Sequence, residues 1–522
     1  MSLLQHVVYA GLAGIVAVTV LRWVSQQISH IRFKRAMGCG DIPRYPHIDR
    51  IFGLDIVLGM AKSLKYDYFL VWLNQVHRGL PKTFVVNFLW SRFIWTIEPE
   101  NMKCMSATNW RDFAVGPMRR NNKATHPFAD KGVNTVDGKE WEFSRTLIKP
   151  FFVAEGFKNT GRLSGHVDRL FARFPADGET FDIQQLVQLW FLDTTTEFLF
   201  GESIGSLEHP ERASLCWAMV DVLRGLRLRL QWYKYLFLFR HQSWLDAVAV
   251  VHDFLNRHLD RTWRELEEKE EKERENEDKR SRGETAVAER AERTDLLWSM
   301  AGQLRDKEAL RSQLCLIFVP NNDTTSIFIS HILWNLARRP DIYARCRAEV
   351  LAHGDAELSF EALRSMKYLN AVMMETHRLH PNGVTQVRKC INDTILPCGG
   401  GRDGKSPIHV RKGDVVQVNK NVLHRDPDIW GEDAEDFNPD RWDGLRPYWT
   451  FVPFGGGPRR CPAQMLVTVE ASYMLARIMQ QFRRIEARDP APYVGVMRVG
   501  PSNKTGVKVA LFRDDESAFA CR

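Results

Sequence analysis

Apolar positions recur at helical spacing over most of this chain, and short β-branched runs interrupt them. Leu186 to Phe200, Ala213 to Phe239 and Asp306 to Arg338 each read as a helix. So does the segment after Cys461, where Leu466, Val469, Ala471, Met474, Leu475, Ile478 and Phe482 recur at roughly helical spacing. Pro462 would occupy the first turn, where proline is tolerated. The run from Thr83 to Ile97 is β-branched and aromatic and predicts two short strands with a turn near Ser91. Leu396 to Asn419 predicts a glycine-rich turn followed by strands. Glu265 to Arg280 is almost all charge and, extended by Ser281-Arg282-Gly283, builds no core; it predicts a solvated helix end and flexible loop. The pattern as a whole describes a mainly α protein with small β-sheets.

One stretch differs from the rest. Val7 to Leu21 carries no charge, and with Leu3, Leu4, Trp23 and Val24 it approaches the ~20 residues of a spanning helix. Arg22 can snorkel at its end, and Arg32, Lys34 and Arg35 follow, while no lysine or arginine precedes it. The positive-inside rule then places the bulk of the chain in the cytosol. A cleaved signal peptide is disfavoured, because the run lacks a basic leader and a small-residue cleavage site. The expected organisation is an anchor over 1–25, a linker over 26–55 punctuated by Pro43 and Pro46, and one large domain over 56–522.

Composition narrows the partners. The 522 residues are 44% hydrophobic, enough for an ample core, and the formal net charge is +8. That charge suits an acidic partner face or an anionic membrane, and no basic tract marks a nucleic-acid arm. The nine cysteines are odd in number and form no CxxC, which argues for a reducing compartment over a disulfide framework or a zinc site. His409 and His424 lack metal-ligand spacing and read as ordinary.

Candidate chemistry concentrates at Phe454 to Gln464, FGGGPRRCPAQ. Cys461 closes a glycine run and opens an apolar helix. A helix N-terminus offers partial positive charge and free N–H groups. Gly455, Gly456 and Gly457 permit a tight bulge, and Arg459 and Arg460 add positive charge beside the sulfur. This describes a sheltered, deprotonated cysteine suited to a soft or redox-active metal. A buried inert cysteine and a phosphate cradle are the competing readings; the phosphate one lacks both GxxxxGK[ST] and GxGxxG.

The pattern FGGGPRxC closely resembles the haem-binding loop of cytochrome P450 monooxygenases, and other motifs of that family follow its order. Trp141-Glu142-Phe143-Ser144-Arg145 resembles the WxxxR helix that contacts a haem propionate. Asn322-Asp323-Thr324-Thr325 resembles the oxygen-activation motif, in which Asp323 and Thr324 would relay protons. Glu375-Thr376-His377-Arg378 resembles the ExxR pair, with Arg441 in FNPDRW as third member of a fold-locking triad. Arg388 matches the position that reaches a second propionate. The resemblance implies the cytochrome P450 fold, a single large haem-thiolate domain behind an N-terminal transmembrane helix. It also implies haem b bound by Cys461 as axial thiolate, with Phe454, Arg459, Trp141, Arg145 and Arg388 around it. Electrons would come from NADPH through NADPH-cytochrome P450 reductase, and the usual address is the endoplasmic reticulum.

This chain departs from the family at Pro320 and Asn321, where a small residue and a glycine are usual. Pro320 frees the carbonyl of Leu316 and is expected to kink the helix. Asn321 would put an amide where the family keeps space for oxygen. The GGG..DGKSP insert resembles the fungal n-alkane and fatty-acid branch, so the expected reaction is hydroxylation of a long aliphatic chain. Tailoring oxidation in a fungal secondary-metabolite pathway is the alternative, and a haem-binding sensor or a decayed membrane protein is the alternative from another class. Leu226 to Phe239, aromatic with interleaved basic residues, is expected to pack on the core or to form a lipid-facing lid.

Overall fold

The computed structural model describes residues 3–152, 158–282, 293–354 and 356–514. Helix α1 (Leu3–Ala36) is long and apolar enough to cross a membrane over Gly11–Ala36, and no part of that window is covered by the rest of the chain. It runs past position 25, where a linker was expected, because Gln26 to Arg35 contains neither proline nor glycine to stop it. Its C-terminal end touches the main body, with His30 and Phe33 stacked on His409.

Strands β1 (Thr83–Phe88) and β2 (Ser91–Thr96) pair antiparallel around Leu89 and Trp90, as the β-branched run predicts. With β3 (Phe113–Ala114), β4 (Thr385–Cys390) and β5 (Val415–Asn419) they form one sheet in the order β1-β2-β5-β4-β3. The β2–β5 pairing is parallel and the others are antiparallel. Thus strands some 300 residues apart in sequence close one side of the molecule.

The other side is helical. Helices α2 (Gly138–Ile148), α3 (Ile183–Phe200) and α4 (Ser214–Gln231) are followed by α5 (Gln242–Ser281) and α6 (Lys307–Arg338). Helix α6 runs through the centre, and 24 of its residues are buried, which explains an apolar pattern on every face. Helices α7 (Lys367–Leu379) and α8 (Gln464–Gln481) pack against it. A hairpin of β6 (Gly495–Met497) and β7 (Pro501–Asn503) returns to α6 from the C-terminal side.

Two expectations change. The helix expected over Ala213 to Phe239 ends at Gln231, with only a short turn of helix at Leu236–Leu238 beyond it. Trp232 leaves the helix to pack its ring on Phe88 of β1, and that tertiary contact overrides the local pattern. The charged run Glu265 to Arg280 is helical throughout; ion pairs such as Arg261–Glu265, Arg293–Glu265 and Arg305–Glu270 hold its first turns. The loop expected beyond it falls largely on 283–292, outside the described residues. Helix α6 is unbroken through Pro320.

Candidate active site around Cys461

The sulfur of Cys461 sits in a loop held from both ends. The Cys461 N–H donates to the Phe454 carbonyl at 3.0 Å, and the Arg460 N–H donates to Gly457 at 3.1 Å. Gly457 has φ +66°, and a Cβ there would lie 1.9 Å from the Ser106 carbonyl oxygen, so only glycine fits this approach. At Gly456 a Cβ would overlap the Trp449 ring. The ring of Phe454 packs edge-on against His377 of α7, which stacks on Phe328 of α6 at 3.7 Å. The loop is thereby tied to the two central helices.

Helix α8 begins at Gln464, not at Pro462. Pro462 and the N-cap Ala463 belong to the loop, and the Ala463 N–H turns toward the sulfur. Burial pushes the Cys461 thiol above its ordinary pKa; the Ala463 N–H, then Arg145, Lys420 and Arg460, pull it back only in part. The haem-free cysteine is therefore a thiol at neutral pH, against the expectation of a free thiolate. A metal must displace the proton to bind.

Around the loop lies a ring of cations with too few anions. Arg145 of α2 and the Trp141 indole find no hydrogen-bond acceptor among the described residues. Arg388 of β4 donates only to its neighbour, the Val387 carbonyl, at 2.9 Å. Burial, with Arg119 and Arg459 nearby, pulls Arg388 down to about 9. Arg119 itself falls to about 10, mainly through burial. Arg459 turns away from the sulfur: it donates to Asp137 at 2.5 Å and to the Val136 carbonyl, and its guanidinium lies 4.8 Å over the Trp141 ring. Its buried Nε has no partner. Arg388 and Arg459 line one cleft with Ser106, Trp110, Gln386 and Gly456.

Lys420 completes the ring. It is buried, and burial first, then Arg388, lowers its pKa from 10.5 to about 8, with the Cys461 side opposing. Between those values the unfolded chain holds the proton and the haem-free fold does not, so stability rises with pH across the window. Lys420→Met is expected to stabilise the haem-free protein at pH 7 by roughly 2–3 kcal/mol. That gain should fade by about pH 10, and thermal melts across pH check it.

On the far side of the site, Thr324 donates its hydroxyl to the Pro320 carbonyl at 2.9 Å. Its own carbonyl accepts from Asn382 Nδ2 at 2.7 Å. Asp323 is buried and pairs with Arg498 at 2.5 Å. The Asn321 amide lies 3.5 Å from Thr195 Oγ1 of α3.

Beneath α7, Glu375 and Arg378 are fully buried and pair twice, at 2.8 and 2.9 Å. Arg441 Nε reaches Glu375 at 3.0 Å. The rest of the network was not legible in the motif: Trp442 Nε1 and the Asn438 N–H also donate to Glu375, and Asp433 binds Arg441 at 2.8 Å. Arg378 further caps the carbonyls of His424, Ala434 and Asp436. Sequence reading also missed Arg119, Asp137 and Lys420, which no local pattern distinguishes from surface charges.

A cysteine in a glycine-built loop, beside buried arginines with few acceptors, fits a haem-thiolate site. The unpaired guanidiniums of Arg145 and Arg388 and the orphaned Nε of Arg459 fit a planar iron group carrying carboxylates. The chain belongs to the cytochrome P450 family: that family's model matches residues 56–495. It is 74% identical to cytochrome P450 monooxygenase apdE of Emericella nidulans, over 92% of this chain and 90% of that one. Identity is 56% to cytochrome P450 monooxygenase iliC of a Neonectria species, over 92% and 93%. It is 51% to cytochrome P450 monooxygenase tenA of Beauveria bassiana, over 92% of each chain. The protein is thus an oxidoreductase of the monooxygenase type, and its family uses haem iron with a cysteine thiolate ligand.

Proposed function

We propose that the protein oxidises a hydrophobic small molecule as one tailoring step in fungal secondary metabolism. The observation that carries the chemistry is the position of Cys461 in the cation-ringed loop. Cys461 would ligate haem b, and the haem would supply dioxygen activation, favoured by a thiolate ligand. The chain's own share is positioning. Trp141, Arg145, Arg388 and Arg459 offer donors to the propionates, and Phe454 supports the loop behind the sulfur. Asp323 and Thr324 manage protons on the distal side. Glu375, Arg378 and Arg441 hold the segment that leads into the loop.

Aliphatic hydroxylation, the first expectation from sequence, gives way here. The fungal relatives fit a tailoring role better than fatty-acid hydroxylation. Profiling products from microsomes fed lauric acid tests this reading. No oxidised fatty acid is expected; efficient terminal or near-terminal hydroxylation would restore the aliphatic reading.

NADPH-cytochrome P450 reductase is the proposed electron donor, and α1 the single-pass anchor in the endoplasmic reticulum. Exposed apolar side chains support a membrane-facing side: Trp90, Phe237 and Leu238 are each more than 65% exposed. Trp90 neighbours Tyr235 in the segment expected to form a lid.

A further inference from the structure

Buried ion pairs are costly to build, and the one between Asp323 and Arg498 is nearly sealed, with side chains 2% and 7% exposed. Arg498 follows β6 at the tip of the C-terminal hairpin, outside the 56–495 family match. Its N–H donates to the Gly500 carbonyl at 2.8 Å and so closes the tip.

The same tip reaches the backbone of Thr324 through Asn382. A Cβ on Gly500 would lie 2.9 Å from the Asn382 carbonyl oxygen, so the backbones meet there. Asn382 in turn donates to the Thr324 carbonyl. The hairpin also reaches the segment after α4. Met497 packs in one apolar cluster with Trp232, just past the end of α4, and Lys504 pairs with Asp67 at 3.0 Å.

We propose that Arg498 is a positioning residue: it holds the Asp323 carboxylate and, with Asn382, couples Asp323 and Thr324 to the hairpin. Asp323 Oδ2 and Arg498 Nε remain buried and unpartnered, so the pair can turn toward another group without leaving the interior. The proposal rests on the proton-handling role given to Asp323 above.

Other charges near Asp323 are few. Arg224 of α4 acts on it from a distance, Cys216 of α4 faces it as a buried thiol, and Asp193 of α3 lies beyond that thiol. Burial raises the Asp323 pKa and Arg498 is the main opposing influence. Losing Arg498 therefore removes the main influence that favours the ionised form and shifts the buried carboxyl toward the neutral acid. An acid whose folded pKa is raised stabilises the fold below its unfolded pKa and loses that stability as pH rises through the folded value.

The test uses the full chain in microsomes with the reductase, and four variants: Arg498→Gln, Arg498→Lys, Asp323→Asn and the double Asp323→Asn/Arg498→Gln. Infrared spectroscopy of the purified ferric proteins reads the carboxyl group directly. Arg498→Gln should show a protonated-acid carbonyl band at pH 7 that the wild type and the double variant lack. Its melting temperature should rise on acidification where that of the double variant does not. Hydrogen peroxide released per NADPH should increase at least about threefold in Arg498→Gln, return toward wild type in Arg498→Lys, and be no higher in the double variant than in Asp323→Asn.

A wild-type acid band at neutral pH, or no band in Arg498→Gln, overturns the proposal. So does a peroxide effect of Arg498→Gln that persists in the Asp323→Asn background. If Asp323→Asn alone leaves peroxide release unchanged, the proton-handling reading falls, and the positioning proposal stands or falls on the infrared band. Should Arg498→Gln fail to fold, the double variant, which has no charge in the pair, and Arg498→Lys carry the comparison.

Discussion

Cys461→Ala is expected to abolish the red-shifted carbon monoxide difference band of the reduced protein, and all oxidation with it. The reason lies in how the loop is supported. The Cys461 backbone is fixed by the Phe454 carbonyl, and the Ala463 N–H faces the sulfur. No group of three or more His, Cys, Asp or Glu side chains clusters for a metal among the described residues. Near the loop, His377 is buried and held neutral, its pKa lowered to about 3 mainly by burial, and it is stacked between Phe328 and Phe454. It cannot swing to replace the cysteine. The fold should survive, since Cys461 is only partly buried and its loss leaves a small gap. Circular dichroism and the spectrum of the reduced carbon monoxide complex separate loss of ligation from loss of fold. A persistent red-shifted band would mean that Cys461 is not the thiolate ligand.

Glu375→Ala should do the opposite: it should remove the fold and, as a consequence, the site. Five hydrogen bonds end on this one carboxylate, from Arg378 (two), Arg441, Asn438 and Trp442. All of that lies in an interior where Arg378 is fully buried. Removing the acid leaves an uncompensated buried guanidinium, at a cost of about 3–5 kcal/mol, a large part of an ordinary domain's stability. Glu375→Gln keeps the shape but not the charge and should be milder. Soluble yield, haem content and urea midpoints check the order wild type, Gln, Ala. An Ala variant with wild-type haem content and midpoint would show that the network is not what holds the loop's approach.

The contrast between these sites explains what was legible beforehand. Asp323, Thr324, Glu375, Arg378, Arg441 and Cys461 stand in short motifs whose order along the chain is itself a signature. Arg498 stands in none: it is a lone arginine after a three-residue strand, 175 positions from the aspartate it meets. No motif marks Asp137 either, yet its carboxylate accepts from the Val115 and Gly116 N–H groups and from Arg459. The neighbour of the Asn321 amide, Thr195 of α3, was likewise not legible in the motif.

The sequence by itself determined the class of protein, the helices with a clean 3.6-residue period, the two strands of the Thr83–Ile97 run, and the cysteine at the centre. Those features are local: propensity, periodicity and motif spacing are properties of consecutive residues. Tertiary structure alone decided where α4 stops, where α8 starts, that the haem-free sulfur is a thiol, and which charges meet. Each of these depends on desolvation or on a partner far along the chain, and both exist only once the chain has folded.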